Sequence, residues 1–205
     1  MTYAVRSAAV RFGDTLALDD VTLLVEPGSV VVVVGGDGAG KTTLLRSLVG
    51  EVQLERGRVD APPPEAIGYL PATTGSWLSL SVGQNMDFVG GIYGLSGKDL
   101  ASRRDELLVR AALLDSVDRL SSELSGGMRR KLGFCMAMLH DPPLLVLDEP
   151  STGVDPVSRV DLWRLVSEAA AAGAAVVMST TYLDEAERAA SLLAQIRRGP
   201  GGERG

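Results

Sequence analysis

The chain has a single cysteine, Cys135, so no internal disulfide can form, and a reducing compartment is the expected setting. Basic residues are also in short supply. Twenty Lys and Arg stand against 26 Asp and Glu, a net charge of −6, which argues against a general nucleic-acid binder. No long apolar run exists: Ala169 to Met178 is ten residues and holds Gly173, whereas a membrane-spanning helix needs about 20. The N-terminal residues, Met-Thr-Tyr-Ala-Val-Arg, lack the apolar core of a signal peptide. What is present is 45% apolar residues in 205, enough for one large domain or two small ones, and only 22% charged residues. A soluble cytosolic protein with a true core is expected.

Periodicity gives a mixed order of elements. Ala9 to Phe12 and Val21 to Val25 read as short strands broken at Gly13-Asp14 and Pro27-Gly28. The five valines Val30 to Val34 predict a strand buried on both faces, as in a parallel sheet covered by helices. A helix follows over Thr42 to Val49, then a strand over Ala66 to Leu70. From Ala72 to His140 the strand signals vanish, and helices are expected at Val82 to Tyr93, Lys98 to Leu113 and Gly127 to Leu139. Strands return at Leu144 to Leu147 and Ala174 to Ser179, separated by a helix over Pro156 to Ala172. The class is α/β with an N-terminal β part and a helical insertion. No internal repeat is visible, and residues 197–205 read as a disordered tail.

Gly35-Gly36-Asp37-Gly38-Ala39-Gly40-Lys41-Thr42, with Thr43 after it, fits the pattern GxxxxGK[ST] between a buried strand and a helix. Glycines let successive N–H groups curl around phosphate oxygens, and the helix N-terminus adds its positive dipole end. Lys41 supplies a point charge for the β and γ phosphates, and the Thr42 hydroxyl reaches Mg²⁺. A dinucleotide-binding GxGxxG starting at Gly36 would need glycine where Lys41 stands. Leu144 to Leu147 ends in Asp148-Glu149, where one carboxylate holds Mg²⁺ through water and the other orients the attacking water. The sole asparagine, Asn85, is followed by Met86, so no guanine-selecting NKxD is present and ATP is favoured over GTP. Leu124-Ser125-Gly126-Gly127-Met128 opens a helix, with Ser125 twenty-three residues before Asp148. Ser125 is a good N-cap, and Gly126 and Gly127 leave N–H groups open to an anion.

These motifs, with Ser151-Thr152-Gly153-Val154-Asp155 after them, resemble the ATP-binding subunit of ABC transporters in order and spacing, over roughly residues 8–190. The resemblance implies a P-loop NTPase fold of ABC type: a mostly parallel core sheet, an N-terminal antiparallel β subdomain and a helical insertion. The expected divisions within a single domain over 1–196 are a nucleotide-binding core, 1–71 and 141–196, and a helical signature subdomain, 72–140. It further implies head-to-tail pairing with a second ATP-binding domain, each ATP lying between one chain's phosphate loop and the other's signature. By that analogy Phe12 stacks on adenine, unless it is only a core or edge-strand aromatic, and Asp155 lies at the dimer interface. A transmembrane permease is the implied partner, with this chain peripheral on the inner face of the cell membrane.

The chain departs from the family at two positions. Gly68-Tyr69-Leu70-Pro71-Ala72 has alanine where the family has a glutamine that senses the Mg²⁺–water shell. Ser179-Thr180-Thr181-Tyr182 places Thr181 where the family has a histidine, and threonine carries no positive charge. His140, the only histidine, is no replacement: it precedes Asp148 by eight residues along the same run, up to roughly 26 Å at about 3.3 Å per residue. It is expected to be a helix C-terminal residue favoured by the dipole. The family also continues with two strands after the helix holding Glu185. Here Leu192 to Ile196 meets glycine, so either one edge strand survives or the sheet ends ragged.

Cys135, Met136 and Met138 are expected in the core. Arg129, Arg130 and Lys131, and equally Arg103 and Arg104, read as solvated faces. For Trp77 two readings stand, a contact with the membrane subunit or local packing. Three functions follow from the motifs: a subunit powering a transporter, with drug or lipid export the class its signature most resembles, a non-hydrolysing ATP-dependent clamp, or a soluble ATPase of nucleic acids or ribosomes. The intact signature beside a damaged switch favours a heterodimer over a homodimer.

Overall fold

The computed structural model describes residues 2–73, 75–188 and 193–195, with side chains described up to 185; the expected tail lies outside them. Two sheets organise the molecule. The first is antiparallel, in the order β2-β1-β4, from β1 (Tyr3–Phe12), β2 (Thr15–Val25) and β4 (Arg56–Asp60). The second is parallel, in the order β5-β6-β7-β3-β8, from β3 (Val30–Val34), β5 (Ile67–Leu70), β6 (Leu144–Leu147), β7 (Ala175–Thr180) and β8 (Leu193–Gln195). The helices are α1 (Lys41–Leu48), α2 (Val82–Ile92), α3 (Gly97–Arg110), α4 (Gly126–Met138), α5 (Pro156–Ala171) and α6 (Leu183–Arg188).

The valine strand shows why the sheet is covered on both sides. Side chains alternate across a strand, and Val31 and Val33 face a core shared with Leu44, Leu45, Val146, Val177 and β1–β2 residues such as Val10 and Leu18. Val32 and Val34 face the opposite core, built from Leu145, Leu147, Val176, Met178, α4 and α5. That second core runs on into α2 and α3 through Met86, Leu107 and Leu108, joining the helical insertion to the sheet. Cys135, Met136 and Met138 lie within it, as expected, and burial pushes the Cys135 thiol up to about 12.

Two features differ from the sequence reading. β1 begins at Tyr3, and its register shifts between Val5 and Ala8, with Ser7 at a φ of 47°, which breaks the apolar alternation. β4 (Arg-Gly-Arg-Val-Asp) was not expected at all. It is an edge strand carrying charge outward, and only Val59 packs inward. At the other end β8 pairs with β3, so among the described residues one edge strand follows α6.

Candidate functional site

Register places the chemistry. Leu70 pairs with Leu147, Leu147 with Met178, and Val34 with Thr180, so the strands end together. The segments leaving those ends carry Gly35–Thr42, Asp148-Glu149, Ser179–Thr181 and Ala72. The C-terminal edge of a parallel sheet is where α/β folds place ligands.

Lys41, the first residue of α1, turns back into the loop. Its Nζ donates to the carbonyl oxygens of Gly35 (2.8 Å) and Gly36 (3.1 Å) and lies 3.1 Å from Glu149 Oε1. Its side chain is only 4% exposed. Gly40, the α1 N-cap, has a φ of 90°, and a Cβ there would sit 2.5 Å from the Ala17 carbonyl oxygen of β2. Glycine is therefore required, and the loop is pressed against the antiparallel sheet. Gly36, Asp37 and Gly38 are exposed, while Gly35, Ala39, Gly40, Thr42 and Thr43 are half-buried. Phe12 is an exposed residue at the β1 end, paired with Thr15.

Asp148 is almost fully buried. Its Oδ1 accepts from Ser179 Oγ at 2.6 Å, while Oδ2 has no partner among the described residues. Ser179 Oγ also accepts from the backbone N–H of Glu149 at 2.9 Å. That bond holds Glu149 at a φ of 47°, a left-handed conformation that costs a non-glycine residue roughly 1–2 kcal/mol. Thr152 Oγ1 donates to Glu149 Oε2 at 3.0 Å. One serine thus fixes both acids, a role the sequence reading did not give it. An orphaned, buried carboxylate oxygen at the C-terminal edge of the parallel sheet would fit a hydrated divalent cation.

The signature residues form a second group. Ser125 caps α4, its Oγ accepting from Met128 N at 3.2 Å. A Cβ on Gly127 would lie 2.4 Å from Ser158 Oγ and 3.3 Å from Asp155 Oδ2, and one on Gly126 would lie 3.6 Å from the Gly153 carbonyl oxygen. Asp155 is the N-cap of α5, its Oδ1 accepting from the N–H groups of Val157 and Ser158, bonds that hold its carboxyl below the usual range. The Leu-Ser-Gly-Gly turn and the Asp155 turn therefore pack as one unit.

Ala72 and Thr181 are both exposed. Next to Thr181, Tyr182 N–H donates to Thr180 Oγ1, and the Arg159 guanidinium lies 4.2 Å from the centre of the Tyr182 ring. Trp77 is 43% exposed and meets Phe88 edge-on at 4.7 Å. Buried Asn85 fixes its backbone, accepting from Trp77 N–H and donating to the carbonyl oxygens of Trp77, Leu80 and Ser81.

Several basic residues are not the solvated face the sequence suggested. Arg130 and Lys131 are buried, with Arg130 donating to backbone carbonyls and Lys131 to Asp161. Arg103 bonds Glu106, Asp141 and the Met138 carbonyl oxygen, and Arg104 bonds Asp87 and Asp105. An arginine is long enough to reach inward from a position whose spacing looks exposed. His140 follows α4, half-buried and stacked on Tyr93 at 3.7 Å, and burial lowers its pKa. A dipole-favoured cation would have been raised.

The ABC transporter family model matches residues 18–152, and the chain belongs to that family. It is 38% identical over 209 residues to the daunorubicin resistance ATP-binding protein DrrA2 of Streptomyces coeruleorubidus, covering 96% of this chain and 65% of the relative. It is 34% identical over 204 residues to the Nod factor export ATP-binding protein I of Cupriavidus metallidurans, covering 95% and 67%. The chain thus spans about two thirds of these relatives. A solved ATP-binding subunit of an ABC transporter superposes with a TM-score of 0.85 at 27% identity, over 96% of this chain and 86% of the other. Among the described residues, no helix is long and apolar enough to cross a membrane.

Proposed function

We propose that this chain is the ATP-binding subunit of an ABC transporter, coupling ATP binding and hydrolysis to movement of a drug or lipid out of the cell. The single observation that carries the reading is the buried Lys41 ammonium, held over the glycine loop and 3.1 Å from Glu149. In this reading the N–H groups of Gly35 to Lys41, with Thr42 and Thr43, cradle the phosphates, and Phe12 stacks on adenine. Lys41 leaves Glu149 for the β and γ phosphates, which frees the Glu149 carboxylate to orient water and take its proton. Thr42 and, through water, Asp148 would hold Mg²⁺, which would supply charge neutralisation at those phosphates. Ser125, Gly126 and Gly127 close over the ATP of a second ATP-binding domain, and Asp155 lies at that junction. The export assignment takes support from the relatives' names.

A transmembrane permease is the proposed membrane partner, placing the chain at the cytoplasmic face. Exposed Trp77, Leu78, Phe88 and Ile92 support contact in the helical part, with Asn85 presenting Trp77. Nucleic acid is not a proposed partner, given the acidic balance.

A second reading rests on Ala72 and Thr181: the chain is the regulatory half of an asymmetric pair whose own site turns over slowly. Water-positioning and acid–base groups contribute about 10²- to 10⁴-fold. The purified full chain should therefore hydrolyse ATP well below about 1 s⁻¹, and Ala72→Gln with Thr181→His should raise the rate. Steady-state phosphate release measures both. A wild-type rate at or above about 1 s⁻¹ would discard the regulatory reading, and failure of ATP to bind at all would discard the main one.

A further inference from the structure

The segment that leaves β5, Pro71-Ala72-Thr73, joins the catalytic edge of the sheet to the helical part. The sheet is its anchor on one side, since Asp148 N–H donates to the Leu70 carbonyl oxygen at 2.8 Å. Its anchor on the other side is Arg130, in the second turn of the signature helix α4. One terminal nitrogen of Arg130 donates to the carbonyl oxygens of Pro71 (3.1 Å) and Thr73 (3.0 Å), and the other donates to that of Ala72. Three consecutive carbonyls are thus gathered by the guanidinium of one arginine, a residue only 8% exposed.

Burying a cation is costly unless it is paired or fully hydrogen-bonded. Among the described residues, every hydrogen bond of this guanidinium goes to a backbone carbonyl of that one segment. Burial pulls Arg130 below the ordinary guanidinium range, while the charges of Asp148 and then Glu149 act in the opposite direction. The cation therefore sits within electrostatic reach of both acids and in direct contact with the segment that holds Ala72. Lysine would not replace it, because a single ammonium lacks the planar fork that spans three carbonyls.

We infer that Arg130 is a positioning residue that ties the Pro71-Ala72-Thr73 segment to the signature helix, so that the segment beside Asp148 and Glu149 moves with Ser125–Gly127 as one body. The alanine at position 72 offers no side-chain amide to sense the site, and the clamp acts through the backbone instead. Closure of the signature over a second domain is thereby transmitted to this chain's own acids through α4. The inference rests on the proposed ATPase reading for its consequence, but the clamp itself is testable without nucleotide.

The test uses a nitroxide label on the full chain at Ala72→Cys, an exposed position. The native thiol is buried with its pKa pushed up to about 12, so labelling is selective. In that background Arg130→Lys should mobilise the label, and in the unlabelled chain it should lower kcat by about 10- to 100-fold, the range expected when positioning is lost. The concentration of ATP giving half-maximal thermal protection should stay within about threefold, because phosphate binding depends on Lys41 and not on the clamp. Arg130→Gln, which buries no charge, carries the same two readouts if the lysine variant does not fold. An unchanged label spectrum overturns the clamp, and a mobile label with unchanged kcat overturns its positioning role. Absence of ATP binding by the wild-type chain would instead strike the ATPase reading, leaving the spectra to judge the clamp.

Discussion

In the assembled transporter, Ser125→Arg should stop ATP turnover, whereas Glu149→Gln should reduce it only modestly. The expectation follows from which chain contributes what. In the proposed head-to-tail pair, each composite site would take its phosphate loop, glutamate and switch from one chain and its signature from the other. In a homodimer both sites would lack the glutamine and the histidine; in a heterodimer this chain's Ala72 and Thr181 weaken only one site. Its intact Ser125-Gly126-Gly127 then completes the partner's site. Ser125 is exposed, and the only described hydrogen bond of its side chain is the cap to Met128 N–H. Replacing it costs about 1 kcal/mol of helix capping and leaves the fold in place, so lost turnover would report on the interface and not on unfolding. Steady-state hydrolysis by the reconstituted complex makes the measurement. If Glu149→Gln proves as damaging as Ser125→Arg, the asymmetric arrangement fails and this chain's own site is a working engine.

Ser179→Ala should cost both stability and turnover. The hydroxyl is the only described donor to the buried Asp148 side chain and the only described acceptor for Glu149 N–H. A hydrogen bond to a charged group is worth about 1.5–3 kcal/mol. For a chain of this size, that is a fall of roughly 3–12 °C in Tm. The Glu149 peptide, released from its left-handed conformation, would misaim the carboxylate, with an expected loss of about 10- to 100-fold in kcat at this chain's own site, read on the isolated chain and not on the assembled complex. Ser179→Thr keeps the hydroxyl and should restore both. Thermal melting and phosphate release on the three chains decide the matter; an alanine variant with wild-type Tm and kcat would remove Ser179 from the account.

Much of this arrangement was legible in the residues alone. Five adjacent valines announce a strand covered on both faces because every position must be apolar, and the Gly35 to Thr42 spacing leaves few other uses for so many glycines before a helix. Asp148-Glu149 was legible for the same reason, as acids at the end of an apolar strand. What escaped were features set by tertiary contact. β4 carries four polar or glycine positions out of five, since an edge strand needs only one inward side chain. Ser179 looked like an ordinary strand residue, and only the β6–β7 register brings it beside Asp148. Arg130 sat among basic residues whose local pattern suggests a wet face, and the segment that it clamps lies 58 residues earlier in the chain. Asn85, informative in the sequence for what it excluded, proves to be the clip that presents Trp77.

Equilibrium titration of the full chain with Mg-ATP, beside Lys41→Ala, tests the central claim most directly. The Lys41 ammonium is already gathered by Gly35, Gly36 and Glu149, so it is placed to receive phosphate oxygens with little rearrangement. Saturable binding of about one ATP per chain is predicted from the one complete phosphate loop, with GTP binding more weakly and the Lys41→Ala chain showing no saturation over the same range. No saturable binding by the wild-type chain, or equal binding by both chains, would contradict the account.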